Sequence, residues 1–465
     1  MRRVALFFAL AASTAALIGG GSATGGTAKA DLSTRAGVVS YLVAHGIDPT
    51  GIVIQRGAHN YAGPSCPGRG WTCTTASRVV QISSKGSDND FQCTPSNGGF
   101  VTPPNQCTIV QVSATGKNDA RCVERTDETA AAQRCVVLQT NTAGDNRAEV
   151  RQVVDANAGP TQDANQYTGI DQQNGSGSNF SHVLQDLRQS TKETDSSGTQ
   201  TQDGHQGVSV TQDADVGSNT ALVEQSLAQK AKASGGASIT QNQNTGSGGP
   251  NTNAGIEQSS TMGRNEAHLN QSHDLDAMAS GAGTTTQQQG TPDDGLNGHF
   301  DQSSAGLSTV KGSQKEAQRL QAEHAGTLTQ TQYGPMDYGS EQGSNPNDVY
   351  DIDQSSTQHA SDPTLQSDEA FGNCDTSGNC TFDQRIQQND QTQTNSCAGT
   401  SCHTGLIVTT TSEGTTVSTC SGLPSEDREG TCPFPPPPPP PPIQGDCGLK
   451  CVGSPDLRAP AAYRR

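Results

Sequence analysis

Between Ile109 and Gln271 one pattern of apolar and polar positions recurs five times: an apolar residue, Gln two places on, later Gly, then Asn, a small residue, a second apolar residue and Gln or Glu. The copies run Ile109 to Glu124, Val137 to Gln152, Ile170 to Gln185, Val210 to Gln225 and Ile256 to Gln271. Their first glutamines are Gln111, Gln139, Gln172, Gln212 and Gln258, their glycines Gly116, Gly144, Gly177, Gly217 and Gly263, and their asparagines Asn118, Asn146, Asn179, Asn219 and Asn265. No position slips by a residue, and such register implies stacked copies of one small unit.

Side chains alternate along a strand, so each half of the copy sends its amides and its apolar residues to one face. In the fourth copy the inward row is Val210, Gln212, Asn219, Ala221, Val223 and Gln225, and the outward row is Thr220, Leu222 and Glu224. The glycine between the halves is expected to supply the positive φ of a tight corner. Each copy therefore reads strand, corner, strand. A lone buried amide costs on the order of 1–3 kcal/mol, but in register each one donates to one neighbour and accepts from the other, as in cross-β arrays.

The pattern predicts an all-β fold: a repeat β-solenoid (β-helix-like) with disulfide-rich ends and a disordered Pro-rich C-terminal segment. From residue 160 a longer period appears, with Thr-Gln pieces at Thr199, Thr240, Thr286 and Thr329, so that each larger unit offers three short strand candidates. After Gln271 the Gly and Asn positions fade and less regular structure is expected, with a last degenerate copy at Ile386, Gln388 and Asn395.

The flanks read differently. Arg2, Arg3 and the apolar run Val4 to Ile18 make residues 1–30 a secretory signal, the run being shorter than the roughly 20 residues of a membrane span. Residues 31–75 are expected to form an N-terminal cap with a short helix, capped by Ser33 and carrying Val38, Val39, Leu42 and Val43 on one face, followed by the only tryptophan, Trp71. Residues 76–373 hold the Gln/Asn-rich β repeats, most regular over 109–271. A Cys-rich region follows at 374–432, and 433–465 is a spacer and tail whose prolines Pro435 to Pro442 form a stiff extended rod.

Composition narrows the function. Only 30% of the 465 residues are hydrophobic and 4% aromatic, too few for several ordinary enzyme cores. The net charge of −18, with no basic stripe, excludes nucleic acid as a partner. Fourteen cysteines in an exported chain are disulfide candidates: Cys66, Cys73, Cys93, Cys107, Cys122 and Cys135 before the densest repeats, then Cys374, Cys380, Cys397, Cys402, Cys420, Cys432, Cys447 and Cys451. Their connectivity is open, with sequential neighbours such as Cys66 and Cys73 favoured by short loops alone. A zinc site at Cys397, Cys402 and His403 lacks strong spacing, and the pairs Asp213/Asp215, Asp274/Asp276 and Asp351/Asp353 fall at different repeat positions, as solvated loop charges do. No cofactor, metal or catalytic residue is expected.

The second half of the repeat, Asn-x-Ala-x-x-x-Gln at Asn219, Ala221, Gln225 and at Asn265, Ala267, Gln271, resembles the curlin repeat of bacterial curli fibres. That resemblance covers about a third of the chain and implies a β-solenoid with amide ladders and a role in extracellular fibres, adhesion and biofilm. The expected function is a structural or adhesive repeat protein of the bacterial cell surface or matrix, with self-association or matrix components as partners. The alternatives are a disordered Gln/Asn-rich stalk, and a binding module whose Thr-x-Thr faces meet carbohydrate or ice.

Overall fold

The computed structural model describes residue 32 and residues 34–83, 87–93, 105–157, 159–191, 198–235, 237–243, 254–280, 283–289, 298–304, 308–323, 327–333, 349–360, 365–411 and 414–422. The expected signal and the polyproline segment lie outside these residues. The chain divides into residues 1–431 and 432–465, and everything described belongs to the first unit.

Strict alternation of buried and outward positions makes strands of nearly all of it. The chain climbs in rungs, each placing one strand in a first layer, turning a corner, and placing the next in a second layer. The rungs are β1 (Val53–Gly57) with β2 (His59–Ala62) and its neighbour β3 (Trp71–Thr74); β4 (Arg78–Ser83) with β5 (Asn89–Cys93); β6 (Asn105–Ser113) with β7 (Asn118–Thr126); β8 (Ala130–Asn141) with β9 (Asn146–Ala156); β10 (Thr161–Asn174) with β11 (Asn179–Ser190); and β12 (Thr199–Ala214) with β13 (Asn219–Ala233). In the next two rungs the first layer is split, into β14 (Ser238–Gln243) and β15 (Ala254–Ser260) facing β16 (Asn265–Ser280), then β17 (Thr284–Gln289) and β18 (Gly298–Ser304) facing β19 (Ser308–Glu323). The next rung holds β20 (Thr327–Tyr333) and β21 (Val349–Ala360).

Every rung pairs parallel and in register with the one before, so Asn118, Asn146, Asn179, Asn219 and Asn265 form one column. This is the solenoid that the repeat predicts. The longer unit has two layers, however, where three separate strands were expected: the Thr-Gln piece and the apolar-x-Gln piece are one continuous strand in β12, on which β14 and β15 both stack. Order also persists beyond Gln271, because β16 and β19 stay in register from Asn265↔Ser308 to Ser280↔Glu323.

The stack closes with a change of direction. β22 (Leu365–Gln388) pairs parallel with β20 and β21, and β23 (Gln391–Thr411) and β24 (Gly414–Gly422) then fold back antiparallel. The expected degenerate copy at Ile386 is thus a hairpin, since Asn389 turns the chain at φ 50° and Asn395 returns opposite Gln384.

Apolar columns fill the space between the layers, led by Val79, Ile109, Val137, Ile170, Val210, Ile256 and Phe300 against Phe91, Ala120, Ala148, Ala221 and Ala267. Helix α1 (Arg35–Ala44) is capped by Thr34, one residue after the expected Ser33, whose hydroxyl accepts from the Gly37 amide at 3.0 Å. Val38 and Leu42 pack on Val80, Val110 and Leu138, the outward residues of β4, β6 and β8, while Val43 is exposed. The helix therefore covers the flank of the first layer and not the end of the stack. Trp71 lies in β3 with its ring 5.1 Å from His59 and 6.4 Å from Tyr61. No helix among the described residues is long and apolar enough to cross a membrane.

Candidate functional site

The features that repeat along the fold are columns of inward amides. In the first layer Gln55, Gln81, Gln111, Gln139, Gln172, Gln212, Gln258 and Gln302 are all buried. Each Nε2 from Gln81 onward donates to the Oε1 of the preceding rung, at 3.0, 2.9, 2.7, 2.6, 2.7, 2.7 and 2.6 Å in chain order. The second hydrogen of Nε2 crosses to the other layer: Gln111, Gln139, Gln172, Gln212 and Gln258 reach the carbonyls of Asp119, Arg147, Phe180, Thr220 and Glu266 at 2.7–3.0 Å. One side chain type thus ties successive rungs and both layers.

The asparagine column runs with the opposite polarity. Asn60, Asn89, Asn118, Asn146, Asn179 and Asn219 each donate to the Oδ1 of the following rung, the last to Asn265, at 2.8–2.9 Å. A third column links Gln271, Gln225, Gln185 and Gln152 at 2.8 Å and ends at 2.7 Å on the buried carboxylate of Glu124. Every amide named as a repeat residue is brought into a column, so the cost of burying each is offset by bonds of about 1 kcal/mol net.

The corners need glycine for a reason that the repeat pattern does not suggest. Of the five repeat glycines only Gly217 has a positive φ, 153°. The others are excluded from carrying a side chain by space: a Cβ on Gly144 would sit 2.1 Å from the Gly116 carbonyl oxygen, and one on Gly177 2.2 Å from that of Gly144. Successive corners stack backbone on backbone. Gly177→Ala is expected to lower stability by about 1–3 kcal/mol through overpacking, read as a fall in thermal midpoint, whereas the same change at the open Gly198 should leave it unchanged.

Two further contributions escaped the sequence reading. The residue two places after the first Gln, treated as free, holds the corner: Asn141 and Asn174 donate to the carbonyls of Gly116 and Gly144, and Ser260 and Ser304 to those of Gly217 and Gly263, at 2.5–3.0 Å. A fourth amide column joins Gln162, Gln202, Gln241, Gln287 and Gln330 at 2.5–2.9 Å. Its sequence trace was the recurring Thr-Gln piece, hidden by loops of unequal length between rungs.

Outside this column the same register aligns hydroxyls. Thr161, Thr201, Thr240, Thr286 and Thr329 form one outward column of the first layer, and Thr199, Ser238, Thr284 and Thr327 a second, two residues away along the strands. None of these nine side chains is buried. The outward residues of the second layer do not repeat: Arg147, Phe180, Thr220 and Glu266 share one position.

Cysteines behave in two ways. Cys66 bridges Cys73, and Cys93 bridges Cys107. Cys122 and Cys135, also disulfide candidates, are unbridged, fully buried thiols. Of the later cysteines, the backbones of Cys374 and Cys402 are direct partners across β22 and β23, while Cys432, Cys447 and Cys451 lie outside the described residues. The Asp-x-Asp pairs stay apart on different rungs, with Asp213, Asp215, Asp351 and Asp353 exposed. Comparison with protein-family models, curated proteins and solved structures finds no match.

Proposed function

We propose that the chain is a structural or adhesive component of an extracellular bacterial surface or matrix, acting without catalysis or cofactor. The observation that supports this reading is the continuity of the amide columns through successive rungs. Each inward amide is bonded to the rungs on either side, so opening one rung breaks bonds to its neighbours, an arrangement suited to a scaffold. In-register Gln and Asn columns are also what the curlin resemblance implies, which extends the proposal to self-association. The two disulfides suit an oxidising compartment.

The reading is tested by labelling intact and salt-washed producing cells with an antibody to residues 109–271. Retention on washed cells, with weaker surface attachment in a deletion strain, is expected. Protein found wholly inside the cell would overturn it.

A second reading is favoured by one observation, the two aligned hydroxyl columns. Neighbouring strands lie about 4.8 Å apart, so the columns make a regular flat lattice suited to an ordered hydroxylated surface, carbohydrate or ice. Replacing Thr201, Thr240 and Thr286 by Lys should then abolish glycan binding or thermal hysteresis without changing the thermal midpoint. Neither activity in the unmodified chain removes this second reading.

A further inference from the structure

The register that builds the amide columns also stacks cysteines. Cys93 pairs with Cys122 in the second layer, and Cys107 with Cys135 in the first. The Cys93–Cys107 disulfide crosses between the layers, so one rung further along, Cys122 and Cys135 occupy the same two positions. Both are fully buried. The Sγ atoms of Cys93, Cys107 and Cys122 lie within 4.8 Å of one another. In the following rung these positions hold Val150 and Thr168, and the sulfur column ends.

We infer that Cys122 and Cys135 are a modification site, oxidised to a second interlayer disulfide stacked on the first. The two bonds form a short covalent ladder that staples the layers where the solenoid begins. The oxidant is a protein disulfide of the export compartment. A Cys122 thiolate attacks it, one donor sulfur leaves and a mixed disulfide forms. Cys135 thiolate then attacks Cys122 Sγ, the Cys122–Cys135 bond forms, and the donor departs as a dithiol holding the two electrons and the two protons that the cysteines lost.

Timing follows from burial. Desolvation pushes both thiols above their ordinary range, Cys122 furthest, and the thiolate is the nucleophile. Exchange with the neighbouring disulfide is therefore slow in the finished fold, and oxidation belongs to the stage before β9 and β10 cover the pair.

Peptide mapping of the secreted full-length chain decides the matter. The protein is denatured without reductant, alkylated, and cleaved with trypsin at Lys85, Lys117, Arg121, Arg125, Arg134 and Arg147. Cys93 and Cys107 then share the peptide 86–117, whereas Cys122 lies in 122–125 and Cys135 in 135–147. The expected product is 122–125 joined to 135–147, two hydrogens lighter than the sum of the two. In the C122S variant the peptide 135–147 should become alkylated. Recovery of both peptides as alkylated thiols from the unmodified chain, linkage of either to 86–117, or zinc held by the native protein on four reduced cysteines would each overturn the inference.

Discussion

The Q212E/Q225E double variant is expected to unfold many degrees below the unmodified protein at pH 8, while T220A/E224A unfolds close to it. Gln212 Nε2 donates to Gln172 Oε1 at 2.7 Å and to the Thr220 carbonyl at 3.0 Å, and Gln212 Oε1 accepts from Gln258 at 2.7 Å. A carboxylate there turns two donor contacts into oxygens facing oxygens. Gln225 occupies the same situation between Gln185 and Gln271, at 2.8 Å on each side. Each new acid must either ionise without a counter-charge or hold its proton far above its ordinary pKa, and three pKa units correspond to about 4 kcal/mol. Two such losses rival the 5–15 kcal/mol that holds a typical domain together.

The outward pair sets the control. Thr220 is half-buried and Glu224 exposed, with the His182 ring nitrogen 4.0 Å from its carboxylate. Exposed contacts of that kind contribute well under about 1 kcal/mol. Thermal unfolding of the two variants by circular dichroism therefore separates inward from outward positions. Equal midpoints would mean that the columns contribute no stability, and the scaffold reading would lose its support.

How much of this was legible in the sequence depended on whether a residue's role repeats. Gln212, Asn219 and Gln225 were assigned inward because five copies shared their spacing, and the structure buries all three. The glycine requirement at Gly144 was legible but its cause was not, since the clash is with the corner of another rung. Nothing within one copy encodes that distance. The two-layer arrangement was hidden for a similar reason. Whether the Thr-Gln piece continues into the apolar-x-Gln piece depends on the connecting residues, which keep β12 whole but separate β14 from β15. Helix α1 was found from its own periodicity, while the face it covers is set by Val80, Val110 and Leu138, three rungs contributing one residue each. Local pattern fixes the element, and only the stack fixes its neighbour.

Stability is also expected to depend on pH in an unusual direction, falling from pH 5 to pH 8.5. Among the described residues two carboxyls are fully inside the fold. Glu124 ends the third amide column, one oxygen accepting from Gln152 and the other without a partner among the described residues, and burial pushes its pKa from 4.5 to about 7. Glu316 accepts from Gln314 at 2.7 Å and Gln354 at 2.8 Å, and burial pushes it from 4.5 to about 8. Asp90 is raised to about 6 by burial and by Asp119 beside it. In each case the folded state keeps a proton that the unfolded chain has already released. Their contribution is complete below the unfolded values, 3.8 for Asp90 and 4.5 for the two glutamates, and is lost as pH climbs through 6, 7 and 8. His273, one rung from Glu316, has the opposite sign: burial without a hydrogen-bond partner among the described residues lowers it to about 3. The unfolded chain protonates that histidine as pH falls below 6.5, so stability declines on the acid side. Burial also raises Asp119 and Asp171 and lowers His205, so raised carboxyls outnumber lowered imidazoles and the maximum should lie on the acid side of neutrality. Glu316→Gln keeps the shape and removes the alkaline loss, stabilising the fold by roughly 2 kcal/mol at pH 8 and little at pH 5. Thermal midpoints measured from pH 4 to pH 8.5 for both proteins check this, and an unmodified chain that grows more stable toward pH 8.5 would show that Glu124 and Glu316 are not held inside as acids.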